Sequence, residues 1–147
     1  MWRRGILVPW FASALVMYGL SYLWHGVALR DLQELKWPLA LYLALSGIVY
    51  LLIGLGLTLA VHKAIEYEFI DLKRAFPFAA MLVGAIAGFI VYLGVFVLGM
   101  SFAKHELMHV AADVLWQMFE QCIGGLVVSL GLIYDMRETF LEQERAN

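Results

Sequence analysis

Hydrophobic positions along this chain come in long blocks, separated by short polar connections. Apolar runs cover 6–24, 38–61 and 77–101, the second closed by His62, and a fourth ends near Tyr134. A membrane-spanning helix needs about 20 largely apolar residues, and the first three runs meet that length. The fourth is purely apolar only over 122–134. Thirteen residues at about 1.5 Å each cannot cross a hydrocarbon core of about 30 Å. Helix four must therefore begin near Asp113 or earlier. That placement submerges Gln117, Glu120 and Gln121, and brings Asp113 to the edge. The pattern predicts helices over about 6–24, 38–62, 77–101 and 111–134, in one domain spanning 1–147. The expected class is all-α, an integral membrane four-helix bundle.

Local signals agree with this division. Pro9, Pro38 and Pro77 fall at or near predicted helix starts, where a missing N–H costs least. Ile65, Phe69, Leu72 and Phe76 keep helical spacing, which predicts an extension of helix two along the membrane surface. Ala80, Gly84 and Gly88 on helix three, and Gly125 and Ser129 on helix four, recur every fourth position. Such spacing marks close helix packing in lipid. The tail 135–147 reads as a solvated helix end of mixed charge.

Composition excludes the alternatives. Hydrophobic residues make up 63% and charged residues 15%, with mean hydropathy +0.81. Soluble domains run about 45–50% apolar and about 25% charged. A water-soluble domain, a disordered chain and a disulfide-rich secreted module are all ruled out. A net charge of −2 offers no basic field for nucleic acid. Cys122, the single cysteine, allows neither an intrachain disulfide nor a cysteine-rich metal site. Met1-Trp2-Arg3-Arg4 begins like a signal peptide, but the apolar run is long. Ala12-Ser13-Ala14 comes too early for cleavage, so a retained first helix is expected.

Charge placement orients the bundle. One face would carry Arg3, Arg4, Lys63, Lys73, Arg74, Arg137 and Arg145; the other carries Arg30, Lys36 and Lys104. The positive-inside rule then places both termini in the cytoplasm. For a bacterial protein this means a multi-pass protein of the inner (plasma) membrane. Trp24, Trp37 and Trp116 would form an outer aromatic belt, and Trp2 and Trp10 an inner one. The expected surroundings are lipid, with a second copy or another membrane protein as the candidate partner.

The chemistry-bearing residues gather in 104–121. Polar side chains at 105, 109, 113, 117 and 120 draw one stripe down a helix. Leu107, Met108, Ala111, Leu115, Met118 and Phe119 cover the other side. Acids and amides in lipid are expensive and face a bundle interior or a wet cavity. Tyr18, Ser21, Tyr22, Tyr50 and Tyr92 are the candidate hydrogen-bond partners on other helices.

Within this segment, His105-Glu106-Leu107-Met108-His109 resembles the H-E-x-x-H zinc site of the zincin metalloproteases. The resemblance covers five residues. It implies zinc held by His105 and His109, with Glu106 as the base that activates metal-bound water. The match departs from the zincin subfamilies. Ala112 stands where metzincins carry glycine, and the third histidine of that extension is absent. Glu138, Glu142 and Glu144 lie across the membrane from the motif. A third ligand would have to come from His25, Asp31 or Glu34, on the same face as the two histidines. His62 is expected at the opposite interface.

More broadly, Tyr22-Leu23-Trp24-His25-Gly26 and Asp113-Val114-Leu115-Trp116 resemble small four-helix inner-membrane families of bacteria that carry domain-of-unknown-function labels. The likeness implies location and no activity. The leading reading is a non-enzymatic accessory or oligomeric membrane protein with no cofactor. The alternatives are a zinc-dependent membrane hydrolase using His105, Glu106 and His109, and a proton or ion pathway using Asp113 and Glu120.

Overall fold

The computed structural model describes residues 2–28, 38–71, 75–98 and 107–146, with side chains except at 2–4, 28, 96–98 and 138–140. Four helices build an all-α four-helix bundle: α1 (Trp2–Tyr22), α2 (Leu39–Glu66), α3 (Phe76–Leu98) and α4 (Leu107–Ala146). The last turn of α1 widens into a π-helical segment, Leu23–Ala28. The spans Gly5–Val27, Leu39–Glu66, Phe76–Val95 and Leu107–Ala146 are each long and apolar enough to cross a membrane. Large apolar side chains such as Leu15, Leu52, Leu82 and Ile90 point outward. This is the inverse of a soluble protein and suits a lipid solvent.

The helices run antiparallel in sequence. His25 and the start of α4 share one end of the bundle, and His62 and Phe76 share the other. Helix α4 packs against all three others, most extensively on α3 and then α1, while α2 and α3 barely touch. At 40 residues, α4 is about 60 Å long and far exceeds the hydrocarbon core of about 30 Å.

The small-residue spacing is packing within the bundle. A Cβ at Gly84 would fall on the Gln121 carbonyl, and one at Gly88 on the Gln121 side chain and the Gln117 carbonyl. In return, a Cβ at Gly125 would fall on the Ala80 carbonyl. Each helix supplies glycine where the other brings its backbone closest. Toward the His62 end, Met17, Leu57, Val61, Val128 and Leu132 fill a dry core.

Two expectations need correction. First, helix α2 does not continue along the surface. It ends at Glu66, where the Phe69 N–H bonds the Ala64 carbonyl and the Glu68 N–H bonds Ile65. Glu68 takes φ 58°. This is a Schellman turn, closed by a left-handed residue. It folds Ile70 back onto the core instead of along the interface.

Second, α1 starts earlier than its apolar run, so Pro9 lies inside the helix. Proline has no N–H for the carbonyl four residues back. That carbonyl belongs to Gly5, and His62 Nε2 sits 3.2 Å from it. Because a carbonyl only accepts, Nε2 carries the hydrogen. His62 therefore repairs the bond that Pro9 removes.

Trp24 and Trp116, both assigned to the outer belt, are in direct contact. Their rings stack at 4.4 Å and 10°, which ties the end of α1 to α4. Trp10 donates to the Leu51 carbonyl at 2.6 Å and so joins α1 to α2. Trp37 lies outside the described residues, as does the side chain of Trp2.

Candidate functional site

Helix α4 carries the polar stripe into the bundle. Gln117 is 6% exposed, Gln121 2% and Glu120 0%. The lipid side of the same helix shows Leu107, Met108, Leu115 and Phe119, all exposed. The stripe read from the sequence therefore faces inward over 113–121. Helix α4 is already formed at Leu107, so the early start that its short apolar run demanded is present.

Glu120 is the centre of this region. The polar groups that face its carboxyl are the Tyr50 hydroxyl on α2, the Tyr92 hydroxyl on α3 and the Trp116 indole on its own helix. Tyr50 and Trp116 act on the carboxyl as hydrogen-bond donors, but at a separation longer than a closed bond, so that neither oxygen has a partner within 3.5 Å among the described residues. Gln117 Oε1, Gln121 Nε2 and the indole nitrogens of Trp24 and Trp116 share that condition. Buried polar groups are nearly always paired, so this concentration is unusual. No Lys or Arg among the described residues contributes to the surroundings of Glu120.

Two openings flank the cluster. Between α1 and α2 an apolar groove of about 450 Å³ runs past Phe11, Leu15, Ile48 and the Tyr50 ring; it suits hydrocarbon. Nearer the His25 end, a narrow polar crevice is lined by Tyr18, Ser21, Tyr22, His25, Tyr42 and Ser46. Tyr18 donates to the Leu43 carbonyl at 2.9 Å and meets Tyr50 edge-on at 6.0 Å. Ser21 interacts with the Tyr50 hydroxyl, and Tyr42 with Tyr92. Of the expected partners, Tyr50 and Tyr92 face Glu120 directly. Ser21 stands one step behind, Tyr18 is bonded elsewhere and Tyr22 is exposed.

Of the H-E-x-x-H string, only Leu107, Met108 and His109 are described. His105 and Glu106 lie outside the described residues, as do Asp31 and Glu34. His109 Nε2 stands 3.6 Å from Asp113 Oδ2, with the two side chains 50% and 18% exposed. Among the described residues, no group of three or more His, Cys, Asp or Glu is placed to hold a metal ion. His25 sits half-buried at the same end.

The repair of Gly5 by His62 had no readable signal beyond Pro9 itself, because the donor arrives from the far end of another helix. The Trp24–Trp116 stack was likewise hidden in residues that look like interface anchors.

Comparison with protein-family models, curated proteins and solved structures gives no match. Four apolar helices around a buried polar cluster make this a multi-pass membrane protein by architecture.

Proposed function

We propose that this is a non-enzymatic multi-pass membrane protein whose working group is Glu120, a carboxyl that binds and releases a proton inside the bundle. The observation that carries the reading is the full burial of Glu120 with only neutral donors facing it, none within 3.5 Å of either oxygen, and no cation among the described residues. A purely structural acid in lipid is held by an Arg, a Lys or several donors, because an unpaired charge there is costly. A group that must change protonation state is better served by neutral hydroxyls that can both donate and accept, and the Tyr50 hydroxyl, linked to Ser21 and Tyr92, stands beside the carboxyl. Asp113, two helical turns nearer the His25 end, is paired with His109 at the rim and forms the outer limit of the polar stripe.

In this reading the seven Lys and Arg at the His62 end, against three at the His25 end, support cytoplasmic termini in a bacterial inner membrane. The His25 end then faces outward.

The test is a differential proton titration in detergent. Wild type is expected to bind about one more proton per chain than Glu120→Gln, within the pH range where both remain folded. Identical titration curves would refute the proposal.

A further inference from the structure

Resting on that reading, the geometry points to one-sided access: Glu120 exchanges protons with water at the His25 end only, and the Tyr50 hydroxyl is the relay. On that side the crevice begins at His25 and Tyr22 and descends past Tyr42 and Ser46 to Ser21. It has room for about one water. Ser21 interacts with the Tyr50 hydroxyl, which in turn faces the carboxyl. Four polar steps thus connect in order: crevice water, Ser21, Tyr50, Glu120.

On the other side the path is blocked. Met17, Val61 and Val128 are fully buried and Leu57 nearly so. A Cβ at Gly124 would collide with Met17 Sδ, so nothing separates α1 from α4 there. The hydroxyls of Thr58 and Ser129 are engaged with the Gly54 and Leu126 carbonyls of their own helices and offer no relay.

The groups facing Glu120 are Tyr50 from α2, Tyr92 from α3 and Trp116 from α4. From α1, Ser21 acts behind Tyr50. No other charged side chain among the described residues interacts with the carboxyl. On proton uptake, the Tyr50 O–H bond breaks as its hydrogen passes to a Glu120 oxygen. A new O–H bond forms on Tyr50 from the Ser21 hydroxyl, whose own O–H is restored by the crevice water, and that water takes its replacement proton from hydronium outside. Release runs the same exchanges backwards, so Tyr50 ends each transfer as a neutral phenol.

Two experiments test this. In full-length protein carrying Cys122→Ser, Ser21→Cys and Ser46→Cys should react with a membrane-impermeant thiol reagent added from the His25 side. Thr58→Cys and Ser129→Cys should not react from either side. Labelling at Ser129→Cys from the His62 side, or none at both crevice positions from the His25 side, overturns one-sided access. Separately, time-resolved infrared spectroscopy after a pH jump follows the Glu120 carboxyl band. Tyr50→Phe should keep the amplitude of that band but slow its appearance by about tenfold or more. Tyr18→Phe, whose hydroxyl is bonded to Leu43, should leave the rate unchanged. An unaltered rate in Tyr50→Phe overturns the relay. A missing band in wild type instead defeats the Glu120 reading itself, so the two failures are separable.

Discussion

Toward the His62 end of the bundle, the buried hydroxyls of Ser13, Thr58 and Ser129 each bond a carbonyl three or four residues back on their own helix. Toward the His25 end, Gln117, Glu120 and Gln121 are buried as deeply yet leave four polar atoms without partners among the described residues. The first half solves the membrane problem locally: a short hydroxyl shares a carbonyl already in the helix ladder, and the cross-section stays dry. The second half holds side chains too long for that solution, and among the described residues none of the four atoms has a partner within 3.5 Å. Unpaired buried groups cost free energy, so their retention reads as function in one half, against packing in the other.

The largest expected effect attacks the packing that both halves share. Gly84→Leu must push α3 off the Gln121 backbone, and should lower stability in detergent by more than the ~1–3 kcal/mol of ordinary overpacking. Gly94→Leu is the control, since nothing lies within 4 Å of that position. It should unfold with wild type in a thermal melt.

The contrast between the halves predicts opposite signs for replacing their polar groups. Glu120→Met should raise stability by about 1–3 kcal/mol, because it removes unsatisfied buried oxygens at similar volume. Thr58→Val should lower it by about 0.5–1.5 kcal/mol, the net worth of one satisfied hydrogen bond. Chemical unfolding of both variants gives the comparison. A destabilised Glu120→Met would place Glu120 with the structural polar groups.

A smaller effect concerns the repaired proline. His62→Ala leaves the Gly5 carbonyl without its donor and should cost about 1 kcal/mol. In a Pro9→Ala background a backbone N–H becomes available, and the same change should cost close to nothing. The coupling of this double-mutant cycle is the readout.

The smallest effect is at the rim. His109→Ala breaks a half-exposed pair with Asp113 and should move stability by less than about 1 kcal/mol. Metal content, measured on wild type supplied with zinc, should be substoichiometric. Close to one zinc per chain, lost in His105→Ala and His109→Ala, would revive the hydrolase reading of His105, Glu106 and His109.

Much of this was legible in the residues. The four spans follow from apolar run length, and the inward burial of Gln117, Glu120 and Gln121 follows from thirteen apolar residues being too few to cross lipid. Ala80, Gly84 and Gly125 announced a close crossing because only small residues permit one. The rest depended on how helices meet. Phe69 fits a helical period as well as it fits a turn, and only the left-handed Glu68 decides between them. Trp24 and Trp116 are 92 positions apart, and no local rule pairs them. Pro9 looked like a start signal because helix α1 extends outward through polar Arg3 and Arg4, which hydropathy leaves out.

The most direct test of the central claim is infrared difference spectroscopy of the reconstituted protein across pH, wild type against Glu120→Gln. A protonated carboxyl in an apolar bundle gives a C=O stretch separate from surface acids. The account predicts a band that appears and vanishes reversibly with pH in wild type and is missing from Glu120→Gln. Superimposable spectra of the two proteins at every pH where both stay folded would contradict it.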